Sequence, residues 1–188
     1  NYRISDLVRD SERALNLGMI EDFDSDLRHA ITRVDDHPLT FFGALQMARH
    51  ARGGFEERLR IGPGWFGDVL DDGLGLIAAL GGLEDAMKKK SGTDEAGAQV
   101  NEDAATLSRR AGELREHLTF LLEAANPSFV YFLETRNRGV FLRAAPIDVS
   151  QIINEMLFNR MRATIMTSAT LTVAGSFEYV KGRLGVSE

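Results

Sequence analysis

The spacing of apolar residues changes at Asn126-Pro127, and this change constrains the fold more than any other feature of the chain. Before it, apolar residues recur with the period of an α-helix. After it, the β-rich stretches Phe129–Leu133 and Val140–Leu142 flank a glycine-containing turn, which is typical of a β-hairpin. The sequence therefore predicts a mainly α protein with a helical domain over residues 1–126 and a smaller α/β domain over residues 127–188.

Two long stretches of the first part have an apolar stripe at helical spacing, Trp65–Lys90 and Leu107–Leu122. A small, polar, glycine-containing segment from Ser91 to Asn101 separates them, so we expect two helices that pack antiparallel as a hairpin. Glycines such as Gly73 interrupt the first stretch. Each lowers helix propensity by ~1 kcal/mol relative to alanine, so bends or close helix crossings are expected there.

Three shorter helices are predicted upstream of the hairpin. The first runs from Ile4 to about Asn16, and the second begins near Asp24 or Ser25. The second helix should end before His37-Pro38, because a residue that precedes proline disfavours helical backbone angles. A third helix would then cover Leu39–Arg52, and the short segment Glu56–Ile61 would be either a strand or an extended link.

The second part ends in a short apolar run followed by hydroxyl residues. Ala163–Met166 predicts a buried strand, which would deliver Thr167, Ser168 and Thr170 to a loop at its carboxyl end. In α/β proteins, ligands bind outside the carboxyl ends of parallel strands. A helix with a capping-box-like start at Asp148 and Gln151 should precede this strand, and a last helix, Phe177 to Leu184, should follow it.

Composition excludes several classes of protein. A formal net charge of −6 argues against coating of nucleic acid through bulk positive charge, so any contact with a polyanion must be local. The absence of cysteine excludes disulfides and thiolate metal sites, and the four histidines show no metal-site spacing. Neither a membrane span nor a signal peptide is apparent, so we expect a soluble, cytoplasmic protein without membrane partners.

The chain starts without methionine, and we expect a piece of a longer protein.

Five arginines make the last third of the chain locally basic: Arg136, Arg138, Arg143, Arg160 and Arg162. Together with the nearby aromatic residues Phe129, Tyr131 and Phe132, they would contact the phosphates of a nucleic-acid strand and stack its bases. The alternative is that the arginines form a solvated face and that the aromatic residues belong to the core.

Several motifs follow one another between Phe129 and Val186: Arg138-Gly139-Val140-Phe141-Leu142, Ala145-Pro146-Ile147-Asp148-Val149-Ser150, Thr167-Ser168-Ala169-Thr170-Leu171, Gly175-Ser176-Phe177 and Arg183-Leu184-Gly185. In this order the motifs resemble the DinG/XPD group of superfamily-two DNA helicases. Ser168 and Thr170 would lie in helicase motif III, at the end of the first motor domain.

The resemblance implies that Ser168 and Thr170 form hydrogen bonds in the ATPase cleft and link ATP hydrolysis to movement on DNA. A hydroxyl both donates and accepts, so it can change partners as a phosphate leaves. The alternative is that these hydroxyls only cap the next helix or satisfy loop backbone. Residues from about Asp6 to Ala125 would be the arch, a helical insertion that closes over the DNA strand. The partners implied are single-stranded DNA, ATP, Mg²⁺ and the rest of the parent helicase.

The chain contains no phosphate loop, no Asp-Glu-Ala-His motif and no distal arginine motif, so we expect no ATPase activity from these residues alone. Whether the parent binds an iron–sulfur cluster is left open. Two other functions are open as well: a helical protein-interaction module, and a small nucleotide-binding enzyme that uses the glycine turn Gly62–Gly67. The unpaired edge of an isolated motor strand also favours self-association.

Overall fold

The structure is a computed structural model that describes residues 2–18, 20, 25–52, 57–92, 101–136, 139–168 and 170–186. The elements in this part of the chain are α1 (Tyr2–Asn16), α2 (Ser25–Ala51), β1 (Arg58–Ile61), a 3₁₀ helix (Gly67–Val69), α3 (Leu70–Ser91), α4 (Glu102–Glu123), β2 (Phe129–Arg136), β3 (Gly139–Pro146), α5 (Ser150–Ile153), a π-helical turn (Asn154–Phe158) and α6 (Glu178–Leu184). The predicted mainly α fold with a small α/β part is confirmed.

The chain forms two compact units. The first comprises Asn1–Ala125 and Tyr131–Arg143, and the second comprises Asn126–Val130 and Ala144–Glu188. The assignment of residues 1–126 to an arch and of residues 127–188 to a motor domain stays a prediction.

Helices α3 and α4 form the predicted antiparallel hairpin. Near the start of α3, a Cβ atom added at Gly73 would lie 2.7 Å from Cδ1 of Leu122, near the end of α4. Further along α3, the carboxylate of Glu84 accepts a hydrogen bond of 2.8 Å from Nε of Arg115. The backbone carbonyl of Glu84 accepts one of 2.9 Å from the hydroxyl of Ser108. Asn101 caps α4, because its side chain accepts a hydrogen bond from the backbone N–H of Ala104. The close crossing expected at Gly73 is thus confirmed.

Helix α2 continues through Pro38, so the predicted break at His37-Pro38 and the separate helix over Leu39–Arg52 are wrong. Proline in a helix removes one backbone hydrogen bond and crowds the preceding turn. Burial of the Pro38 ring compensates for this cost. In the same turn, Nδ1 of His37 lies 2.7 Å from the carbonyl oxygen of Arg33. Burial of one face along the whole of α2 outweighs the local preference for a break.

The sheet has the order β1-β2-β3, and β1 pairs antiparallel with β2. The segment at residues 58–61 is therefore a strand rather than a link. The glycine turn Gly62–Gly67 follows this antiparallel strand, whereas a dinucleotide-binding glycine turn connects a strand of a βαβ unit to a helix. The fold thus gives no support to the nucleotide-binding alternative.

The second unit has helices at both ends and irregular backbone between them. The backbone N–H of Ser150 donates a 2.9 Å hydrogen bond to Asp148, which holds the pKa of that carboxyl below its ordinary value. In a complete capping box the Gln151 side chain would also bond back to the backbone N–H of Asp148. It donates a hydrogen bond to the Glu155 carboxylate instead, so this half of the predicted capping box is not formed. Asn154 donates a 2.6 Å hydrogen bond to the carbonyl of Gly185, which connects the helices at the two ends of this unit.

The predicted buried strand at Ala163–Met166 is wrong. Residues 163–168 are all exposed and have no regular secondary structure, and Ile165 is 91% exposed. A strand requires a neighbouring strand to satisfy its backbone groups, and the described residues provide none for this segment. None of the helices in the described part of the chain combines the length and the apolar character that a membrane span requires.

Candidate nucleic-acid interface and hydroxyl segment

Three arginines from three strands converge on one carboxylate, that of Glu134 in β2. Nε and Nη2 of Arg58 both lie 3.1 Å from Oε1 of Glu134, and the same nitrogens of Arg136 lie 3.0 and 2.8 Å from that oxygen. Nε of Arg143 lies 2.7 Å from Oε2, as an ion pair without an aligned hydrogen bond. We call Arg58, Glu134, Arg136 and Arg143 the arginine cluster.

The arginine cluster lies at the protein surface rather than in the apolar core. The side chain of Glu134 is 0% exposed, whereas those of Arg58, Arg136 and Arg143 are 62%, 53% and 46% exposed. The guanidinium groups therefore cover the carboxylate. Removal from water raises the pKa of Glu134, but the hydrogen bonds from Arg58 and Arg136 and the charges of Arg136 and Arg143 outweigh this effect, so its pKa lies below the ordinary value.

The structure brings together only part of the predicted basic set. Arg136 and Arg143 belong to the arginine cluster, whereas Arg138 lies outside the described residues. Arg160 and Arg162 are exposed and belong to the second unit. Sequence reasoning missed Arg58 and Glu134. The signal for Glu134 was a carboxylate inside a β-rich stretch, two residues before an arginine on the same face of the strand.

The aromatic residues near these arginines divide between core and surface. Tyr131 is buried, and the centre of its ring lies 5.4 Å from that of Phe120, so the core interpretation holds for this residue and base stacking on it is excluded. Phe132 and Phe141 are half-buried and lie beside the arginine cluster. The guanidinium carbon of Arg58 is 5.6 Å from the ring centre of Phe132, and that of Arg143 is 5.5 Å from the ring centre of Phe141.

Ser168 and Thr170 are both exposed and lie in the irregular segment before α6. Oγ of Ser168 accepts a 3.2 Å hydrogen bond from the backbone N–H of Thr170, and the two hydroxyl oxygens are 3.3 Å apart. This local turn shows that Ser168 satisfies loop backbone, as the alternative interpretation expected. It leaves both side chains at the surface, where a group outside these residues can reach them.

Apolar side chains are exposed throughout the second unit. No described residue of this unit is buried. Its exposed large apolar residues are Ile147, Ile152, Met156, Leu157, Met161, Ile165, Met166, Val173, Phe177 and Tyr179. In contrast, the exposed large apolar residues described on the α3–α4 hairpin are Leu70 and Leu74. A protein-interaction module that uses a groove on the hairpin is therefore not favoured.

The described residues contain no group of three or more His, Cys, Asp or Glu side chains arranged to hold a metal ion.

The chain is similar in part to one curated protein. Over 50 residues, 27% of the chain, it is 39% identical to the 3'-5' exonuclease DinG of Bacillus subtilis (strain 168). The matched residues cover 5% of that protein, so the chain spans only a small share of the length of this relative. No protein-family profile and no solved structure matches the chain. The similarity indicates a DinG-related protein at most.

Proposed function

We propose that this chain is part of an ATP-dependent DNA helicase of the DinG type, which couples ATP hydrolysis to translocation on single-stranded DNA. The observation that carries the proposal is the partial identity to DinG. Residues 1–126 are then the arch, which encloses the strand, and residues 127–188 are the end of the first motor domain. The exonuclease activity in the relative's name is not part of this proposal, because the motifs that resemble the helicase group would belong to the motor.

The exposed apolar side chains of the second unit support this proposal. A monomeric protein rarely exposes a large contiguous apolar surface, and the burial of such residues drives association. The occupant that we propose is the remainder of the motor domain in the same polypeptide. Its parallel sheet would supply the missing neighbours for residues 163–167, including Ile165, and would convert this exposed segment into the strand that its composition favours.

Ser168 and Thr170 are the proposed coupling residues. Both hydroxyls are exposed at the carboxyl end of this segment, and each can donate and accept a hydrogen bond. The chain has no phosphate loop and no Asp-Glu-Ala-His motif, so it does not fit ATP or Mg²⁺ by itself. Residues elsewhere in the intact protein would hold both. Ser168 and Thr170 would then sense the loss of the terminal phosphate by exchanging hydrogen-bond partners, and Arg136 and Arg143 would contact the DNA strand.

ATP hydrolysis tests the proposal. The intact protein should hydrolyse ATP faster when single-stranded DNA is added, and the 188-residue chain alone should not hydrolyse ATP. Either of two results would overturn the proposal: an intact protein without DNA-stimulated hydrolysis, or measurable turnover by the purified chain.

A further inference from the structure

The two faces of the sheet differ sharply in chemistry. In the antiparallel register Arg58 lies opposite Glu134, and Arg60 lies opposite Phe132. Alternate residues of a strand share a face, so these four residues lie on one face of the sheet. The other face is apolar and buried, with Ile61, Tyr131 and Leu133. The sheet thus has one face in the core of the first unit and one charged face with aromatic residues.

The arginine cluster carries more positive charge than its carboxylate requires. Three guanidinium groups around one carboxylate give a net charge of +2, within a chain whose formal net charge is −6. One arginine neutralises the charge of one carboxylate, so two guanidinium charges of the arginine cluster have no compensating charge within it.

The geometry leaves donors available on the outer side of the arginine cluster. Arg58 and Arg136 use Nε and Nη2 to contact Glu134, and Arg143 uses Nε. A guanidinium has five N–H donors, and within the described residues the other donors of these three side chains have no hydrogen-bond partner. Glu134 therefore holds each of the three guanidinium groups by one edge, and each arginine side chain remains about half exposed.

We propose that this face of the sheet binds the backbone phosphates of a single-stranded nucleic acid, and that Glu134 is a positioning residue that holds Arg58, Arg136 and Arg143 in place for them. Arginine recognises phosphate oxygens through paired N–H donors. The guanidinium carbon of Arg58 lies over the Phe132 ring, 5.6 Å from its centre, so this ring supports Arg58 on the same face. This inference rests on the proposed function, because the strand that it places on the sheet is the one on which the proposed helicase would act.

Binding of a fluorescein-labelled oligothymidylate to the 188-residue chain, followed by fluorescence anisotropy at several salt concentrations, tests the inference. The double variant R136Q/R143Q should bind about tenfold more weakly at low salt, and the slope of log K against log salt should fall by about 1.4, since each lost phosphate contact on a single strand accounts for about 0.7. R9Q/R109Q is the matched control, because it removes two exposed arginines that also pair with carboxylates. It should bind within about twofold of the unchanged chain.

Glu134→Gln separates positioning from bulk charge. The substitution makes the site more positive by one charge, so a purely electrostatic surface would bind the oligonucleotide more tightly. The positioning role predicts weaker binding and a smaller salt slope, because the three arginines lose their common anchor. Circular dichroism on the same samples verifies that each variant is folded. Tighter or unchanged binding by a folded E134Q chain would overturn the role of Glu134.

Other outcomes separate this inference from the proposed function. No binding of the oligothymidylate at low salt, equal binding of a duplex of the same length, or equal losses in the cluster and control variants would overturn the inference. If DNA-stimulated ATP hydrolysis by the intact protein survives R136Q/R143Q unchanged, this surface is not its DNA site. The proposed contact of Arg136 and Arg143 with the strand then fails, although the assignment to a DNA-stimulated helicase stands. If cluster-dependent binding occurs without any ATP hydrolysis by the intact protein, the proposed function fails and the binding surface stands.

Discussion

Glu134 couples the stability of the first unit to pH. Its pKa in the folded protein lies below the ordinary value of 4.5, because the hydrogen bonds and charges of the surrounding arginines outweigh its removal from water. A carboxyl group with a lowered folded pKa contributes stability above its unfolded pKa and loses that contribution as the pH falls through the folded value. The contribution of Glu134 is therefore complete at neutral pH and disappears below pH 4.5.

We expect Glu134→Gln to lower the urea midpoint of unfolding at neutral pH, and we expect the difference from the unchanged chain to shrink as the pH falls below 4.5. Glu12→Gln is the control, since Glu12 is exposed on α1, and it should change the midpoint at neither pH. A difference between the chains that stays constant from neutral to acid pH would contradict the ion-pair account.

Substitution by alanine at two glycines of α3 should change the free energy of unfolding in opposite directions. At Gly73 the new Cβ would lie 2.7 Å from Leu122 and 3.1 Å from Phe41, whereas at Gly82 no atom lies within 4 Å. Overpacking costs roughly 1–3 kcal/mol, which exceeds the ~1 kcal/mol that alanine gains over glycine in a helix. Gly73→Ala should lower the free energy of unfolding by about 1 kcal/mol, and Gly82→Ala should raise it by about 0.5–1 kcal/mol. Stabilisation by both substitutions in urea unfolding would contradict the close crossing of α3 and α4.

At the level of elements, residues 163–168 should behave as an unprotected segment in this chain. They form no regular secondary structure, whereas α3 and α4 are packed and hydrogen-bonded. At a protein concentration low enough to keep the chain monomeric, hydrogen exchange measured by mass spectrometry should show peptides from 163–168 exchanging as fast as an unfolded peptide, and peptides from α3 and α4 exchanging slowly. In the intact protein the same segment should become protected. Protection in the 188-residue chain itself would mean that the segment already pairs as a strand.

Elements whose residues contain their own signal were predictable from the sequence. The α3–α4 hairpin followed from two apolar stripes and a polar loop, and β2 and β3 followed from β-rich stretches on both sides of a turn. Two predictions failed because tertiary context decided them. The preference of His37-Pro38 for a break yielded to burial along α2, and the apolar run Ala163–Met166 has no neighbouring strands in the described part of the chain.

At the level of the whole molecule, the candidate site depends on contacts distant in sequence. Arg58 is 76 residues from Glu134, and only the pairing of β1 with β2 brings the two together. A single sequence contains no signal for that pairing, so Arg136 and Arg143 were predicted without the carboxylate that organises them. Ser168 and Thr170 were identified from the order of the motifs, and their role in coupling stays a prediction.

The exposed apolar surface of the second unit should make the isolated chain self-associate. Ile165 is 91% exposed, and unpaired backbone next to apolar side chains recruits further chains. Sedimentation velocity should show an average mass that rises with protein concentration, and Ile165→Glu should reduce this rise. Thr164→Glu, which adds the same charge at the neighbouring exposed residue, is the control and should have a smaller effect. A chain that stays monomeric at all concentrations would contradict the account of this surface.

Coupling between ATP hydrolysis and strand separation in the intact protein tests the central claim most directly. The variant S168A/T170A should retain most of its ATP hydrolysis, and its rate of strand displacement should fall about tenfold. This fall corresponds to a rise of about 1.4 kcal/mol in the activation free energy. Thr172→Ala, which removes an exposed hydroxyl from the same segment, should change neither rate. If S168A/T170A displaces the strand as fast as the unchanged protein, Ser168 and Thr170 do not couple a motor, and the account is wrong.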